Sequence, residues 1–159
     1  MEKPRSHLWL VRIIKMLHTL SGIGITGAIA TFIVLHVQSP VAGAPGYPEV
    51  RHGIDATYRW LAVPSLVVCV LSGLASMIVH RPYWNAPWAW LKASSGTVLV
   101  GLTVRMQGVA RSLTEPTVLS DRAELAGALL NEWKGLWTLL VVLALNVIVG
   151  IWRPRLKSR

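Results

Sequence analysis

Three stretches of this sequence contain no Lys, Arg, Asp or Glu: residues 16–48, 60–80 and 135–152. A helix needs roughly 20 apolar residues to cross about 30 Å of hydrocarbon, and each stretch supplies that length or comes close to it. Lipid, rather than a large central core, must then absorb most of the apolar surface. The composition agrees, with 53% hydrophobic residues, 14% charged residues and a mean hydropathy of +0.50 in a chain of 159, a balance that does not suit a domain dissolved on its own.

The helix in the first stretch is expected to end near Val37, because Pro40, Gly43, Pro45, Gly46 and Pro48 follow in quick succession. Arg12 and Lys15 precede it as they would in a signal peptide. The apolar run is too long for one and lacks a convincing small-residue cleavage site, so it reads as a retained helix. A fourth crossing is less obvious. Only 12 uncharged residues separate Lys92 from Arg105, so a helix over about residues 88–110 carries a cation at the edge of the hydrocarbon or inside it. The expected fold is all-α: an integral membrane four-helix bundle in a single domain of residues 1–159, with helices at about 12–37, 58–80, 88–110 and 133–152. Asp121 as a cap, Glu124 three residues on, and Leu125, Leu129 and Leu130 at amphipathic spacing predict a short interfacial helix before the fourth crossing.

Cation counts orient the bundle, since Lys and Arg stay on the cytoplasmic side. Lys3, Arg5, Arg12, Lys15, Arg81, Lys92, Arg153, Arg155, Lys157 and Arg159 fall on one face. Arg51, Arg59, Arg105, Arg111, Arg122 and Lys134 fall on the other, offset by Glu49, Asp55, Glu115, Asp121, Glu124 and Glu132. Both termini are therefore expected in the cytoplasm, and the net charge of +9 reads as topology plus attraction to anionic headgroups, not nucleic-acid binding. The eight tryptophans fall at or near predicted helix ends, as interfacial anchors do. Cys69 lies mid-helix, a small apolar residue without an internal disulfide partner.

Histidines carry the functional signal, because an ionisable residue in a membrane is costly and often functional. His18 and His36 are 18 residues apart on the first helix, five turns or about 27 Å, and so share a face near opposite membrane surfaces. His80 ends the second helix at the depth of His18, and His52 sits on the side of His36. Two imidazoles from neighbouring helices at matched depth suit a b-type haem, so His18 with His80 form one candidate site and His36 with His52 a second. Lys92 with Arg81 on the inner side, and Arg105 with Arg59 on the outer, are candidate partners for the haem propionates. Gly22, Gly24, Gly27 and Ala28, with Ser72, Gly73 and Ser76, leave room for a cofactor or allow plain close packing of helices.

Copper handling is an alternative, since imidazole and thioether both bind copper, although Met16, Met77 and Met106 are scattered. A cofactor-free accessory subunit of a larger membrane complex is another. Hydrolytic catalysis finds no nucleophile elbow, paired carboxylates or metalloprotease motif.

Lys15-Met16-Leu17-His18 opening the first helix, Tyr58-Arg59-Trp60 with Pro64 and Gly73 on the second, and Trp88-Ala89-Trp90-Leu91-Lys92 opening the third resemble a group of small membrane proteins. That group includes the bacterial cytochrome-b-type protoporphyrinogen oxidases and the copper-resistance-D-like proteins, and the resemblance covers roughly the first two-thirds of the chain. It implies that His18 is a haem ligand and that Lys92 is needed for a haem-dependent oxidoreductase activity in a bacterial inner membrane. Together these readings predict a membrane cytochrome b that exchanges electrons with a quinone or a partner protein, as a monomer or a homodimer.

Overall fold

The computed structural model describes residues 5–79 and 83–152, with side chains from residue 8 onward. Every regular element among them is helical: α1 (Arg5–Gln38), α2 (Tyr47–Thr57), a π-helical turn (Tyr58–Ala62), α3 (Val63–Val79), α4 (Pro87–Ser112), α5 (Pro116–Ser120) and α6 (Arg122–Trp152). Three continuous helices, Leu8–Gln38, Tyr47–Val79 and Arg122–Trp152, are long and apolar enough to cross a membrane. Large aliphatic side chains point outward along them, among them Ile23, Leu71, Ile78, Val141 and Ile151. Water would not tolerate so much exposed apolar surface, and the chain is an integral membrane protein. Helix α4 has comparable length, but it carries Lys92, Arg105 and Arg111 and the hydroxyls of Ser94, Ser95 and Thr97.

Three boundaries differ from the expectation, each for a local reason. The second helix starts at Tyr47 rather than near residue 58. The breakers confine the turn to the segment before it, where Gly43 and Gly46 adopt positive φ of 84° and 86°. Pro48 sits in the first helical turn, where no amide hydrogen is needed. At the other end, the expected interfacial helix is not separate: α6 runs unbroken from Arg122 to Trp152, because no breaker lies between its amphipathic start and its apolar run. Asp121 does cap it, its Oδ1 accepting from the amides of Ala123 (2.8 Å) and Glu124 (3.2 Å). The first helix begins at Arg5, ahead of the expected residue 12.

The π turn also has a cause in the sequence. Pro64 offers no amide hydrogen, and its ring would crowd the carbonyl of Trp60 in a regular α-helix. The chain widens instead: the Val63 amide donates to Tyr58 O, five residues back.

Contacts between the helices run in antiparallel order. His18 meets Cys69 while Phe32 stacks on Tyr58 at 3.9 Å, and on the other side of the bundle Asn146 meets Ser95 while Met106 meets Gly135. The described start of α1 and the end of α6 therefore lie at the same end of the bundle. Close approaches rely on glycine. A Cβ on Gly24 would stand 2.5 Å from Ser65 Oγ, and one on Gly135 would overlap Met106 Sδ. Met106 is itself buried, so Gly135→Val is expected to cost about 1–3 kcal/mol through overpacking. Unfolding in mixed micelles should show this loss and its partial relief by adding Met106→Ala; equal stability of Gly135→Val and wild type would contradict the packing.

Candidate functional site

At the end of the bundle that carries the start of α1, the four long helices part around a cavity of about 700 Å³. That volume falls within the range of small-molecule and cofactor sites. The walls are mostly aliphatic, and a few polar side chains converge on it: His18 from α1, Ser76 from α3, Lys92 from α4 and Asn146 from α6.

His18 is held in one orientation. Its Nδ1 lies 2.9 Å from Cys69 O and 3.2 Å from Ser72 Oγ. A carbonyl only accepts, so Nδ1 carries the hydrogen and the neutral ring keeps its lone pair on Nε2. The Ser72 hydroxyl can accept as a second partner because it donates to Val68 O at 2.7 Å. Among the described residues, Nε2 has no hydrogen-bond partner. An imidazole pinned through one nitrogen by a backbone carbonyl, with the other exposed to a cavity, is how metal-ligating histidines are commonly prepared. Gly73 faces the ring, and a Cβ there would make only ordinary contact with His18 Cε1 at 3.5 Å. This glycine lowers the cavity wall and is not required for the ring to fit.

Lys92 reaches the same cavity from the first turns of α4. Its Nζ lies over Gly150, where a Cβ would come within 2.5 Å. Asn146 steadies that turn by donating to Ser95 Oγ (2.6 Å) and Lys92 O (3.3 Å). Among the described residues, no carboxylate pairs with Lys92. His18 and Lys92 are thus brought to one site. His80 and Arg81 lie outside the described residues, although Val79 and Tyr83 on either side of that segment both line the cavity. Asn146 was not singled out from the sequence; an amide within an otherwise apolar run of α6 is the signal that marks it.

The other candidates are elsewhere. Arg59 is exposed and stacks over Trp60 at 5.4 Å, and Arg105 is exposed on α4. His52 is exposed on α2 while His36 is buried, so the two do not form a matched pair across a cofactor. His36 instead belongs to a polar cluster at the opposite end of the bundle from the cavity. Its Nδ1 lies 2.7 Å from Phe32 O, and its Nε2 approaches Glu132 Oε2 obliquely at 3.0 Å. Arg51 Nη1 donates to the same carboxylate oxygen at 2.5 Å, and its guanidinium stacks over Tyr47 at 5.1 Å. Glu132 is completely buried and Arg51 nearly so. His36 Nδ1 is engaged by a backbone carbonyl, and Nε2 faces the Glu132 carboxylate without a hydrogen bond.

This cluster was missed because Arg51 and Glu132 entered the sequence argument only as charges that balance across a loop. One signal was present. Glu132 lies on the stripe formed by Leu129, Leu136, Leu139 and Leu143, a carboxylate at a core-facing register position. Between the two polar centres, Ile25, Ile29, Phe32, Leu66, Leu99 and Leu139 form an apolar layer around a space of about 10 Å³. Among the described residues, no three of His, Cys, Asp and Glu converge as a metal-ligand group. Comparison with protein-family models, curated proteins and solved structures returns no match.

Proposed function

We propose that this chain is a b-type haem-binding membrane protein of four crossings, serving electron transfer or haem and porphyrin redox chemistry. The observation that carries the reading is His18: an imidazole fixed by the Cys69 carbonyl, with Nε2 available, at the wall of a cavity of about 700 Å³. The residues present fit the group. His18 would supply a nitrogen ligand, the aliphatic walls would cover the porphyrin, and Lys92, which pairs with no carboxylate among the described residues, would receive a propionate. Bound haem would supply one-electron chemistry. The protein's own part is to orient the imidazole through Cys69 and Ser72, to place the Lys92 ammonium through Asn146 and Gly150, and to exclude water with Leu66, Leu74 and Leu99.

In this reading α4 is the fourth crossing, with Lys92 at the hydrocarbon edge, and the cation bias places both termini in the cytoplasm of a bacterial inner membrane. The resemblance to cytochrome-b-type protoporphyrinogen oxidases adds a porphyrinogen as electron donor and gives Lys92 a role in activity. A quinone or a partner protein would take the electrons. The test is the reduced-minus-oxidised absorption spectrum of the protein purified in mild detergent from haem-supplied cells. A Soret band with sharp reduced α and β bands is expected. A featureless spectrum at full haem supply would overturn the proposal.

One observation favours a second reading, an accessory subunit or homodimer. Gly27, Gly101, Gly108 and Gly127 have open space where a Cβ would stand, and such small residues on outward faces let another membrane helix approach closely. A colourless protein that copurifies with a defined partner would support it.

A further inference from the structure

We infer that the His36–Glu132 contact holds one exchangeable proton, which makes the outer cluster a buried proton-binding site independent of any cofactor. Phe32 O, 2.7 Å from His36 Nδ1, only accepts, so Nδ1 carries a hydrogen. A neutral imidazole has one N–H, which leaves a lone pair on Nε2. Yet Nε2 stands 3.0 Å from a carboxylate oxygen of Glu132, at an angle that makes no hydrogen bond, and an unprotonated ring nitrogen that close to a carboxylate is repelled by it. One added proton, on Nε2 or on Glu132, relieves that repulsion. Because either group can carry it, the proton belongs to the pair.

From α1 the cluster receives His36, from α6 Glu132 and from α2 Arg51. One turn further along the same face of α2, Asp55 has a buried Oδ1. Tyr47 and Tyr58 add neutral phenols. The remaining charged groups of the neighbouring elements are exposed: Glu49 and His52 on α2, Arg59 on the π turn, Arg105 and Arg111 on α4, and Glu124 and Lys134 on α6. Helix α4 packs its buried Met106 and Ala110 toward the interior instead.

The surroundings suit a site that exchanges a proton. Among the described residues, His36 Nε2, Tyr47 Oη, Tyr58 Oη, Arg51 Nε, Asp55 Oδ1 and Glu132 Oε1 are buried polar atoms without a hydrogen-bond partner, the kind of group that ordered water satisfies. Asp55, one turn beyond Arg51 on α2, is half-buried. In the other direction a mostly apolar layer that includes Ile29, Phe32, Leu66 and Leu99 lies between the cluster and the His18 cavity.

The test uses the full chain with ¹⁵N-labelled histidine in detergent micelles near neutral pH. Imidazole nitrogen resonances report the protonation of His36, and infrared spectra report any protonated carboxyl. His36→Gln, which leaves the Arg51–Glu132 pair in place, assigns the imidazole signal; Glu132→Asp and Glu132→Gln assign the carboxyl band. We expect one of two signatures of the same proton. Either both nitrogens of His36 are protonated, or His36 is protonated at Nδ1 alone alongside a deuterium-sensitive carboxyl band that shifts in Glu132→Asp. A His36 protonated at Nδ1 alone, with no carboxyl band traceable to Glu132, would overturn the inference.

Discussion

On the proposed haem-binding reading, replacing His18 by alanine is expected to reduce the haem content of the purified protein to background and to abolish the Soret and reduced α bands, while leaving the helical content unchanged. The fold should survive because His18 is only half-buried and faces a cavity, so its removal enlarges a space already present and leaves no core void. Among the described residues it is the only cavity-lining histidine. Two controls separate ligation from general damage. His18→Gly supplied with free imidazole should recover colour, since the small molecule can occupy the vacated volume with its own nitrogen. Ser72→Ala should keep colour, because the shorter bond to the Cys69 carbonyl at 2.9 Å still orients the ring. A fully haem-loaded His18→Ala protein with an unchanged spectrum would show that the axial nitrogen comes from elsewhere. Lys92→Met, by contrast, should weaken haem retention without removing the reduced α band, since it loses a counter-ion and leaves the ligand.

The second large effect is expected at the other end of the bundle. Glu132→Ala should destabilise the protein by about 3–5 kcal/mol, because it strands the Arg51 guanidinium without a counter-charge in a region closed to solvent. Glu132 has no exposed surface and Arg51 is only 3% exposed, so neither can reach water without local unfolding. Glu132→Gln should cost less, since the amide oxygen can still accept from Arg51. Replacing the pair together, with Arg51→Met and Glu132→Leu, should recover much of the loss, because neither member of the pair is then left without the other. Reversible unfolding in mixed micelles measures all of these. If Glu132→Ala lay within about 1 kcal/mol of wild type, well below the loss expected for an unpaired buried charge, the buried ion pair would not be a feature of the folded protein.

The two centres differ in how far they could be read in advance. His18 and Lys92 stood out because each interrupts a long apolar segment, and a polar group in such a setting needs a reason. The details that prepare His18 did not stand out. The Cys69 carbonyl is a backbone group with no sequence signature, and Ser72 reads equally well as a small residue for packing. His36 was noticed for its five-turn spacing from His18. That spacing describes a shared face of α1 and is silent on what the other helices bring to it. α6 brings a carboxylate and α2 a guanidinium, and these turn His36 from a prospective ligand into a member of an ion cluster.

Boundaries show the same division. Pro48 reads as a breaker by composition and acts as a helix starter, because proline's effect depends on whether it falls in the first turn or the interior. Pro64 falls in the interior, and the helix continues past it by taking a π turn.

The sequence by itself determined the class of this protein, the approximate place of its long helices and the cap at Asp121, because hydrophobic transfer and the first-turn amides act on residues near one another in the chain. Only the tertiary structure decided which polar residues meet. Arg51 and Glu132 are 81 residues apart and His18 and Cys69 are 51 apart, and their encounters depend on the rotation of each helix about its own axis. That rotation is set by the fit of Gly24 against Ser65, Gly96 against Val70 and Gly135 against Met106, a property of surfaces in contact that no single segment contains.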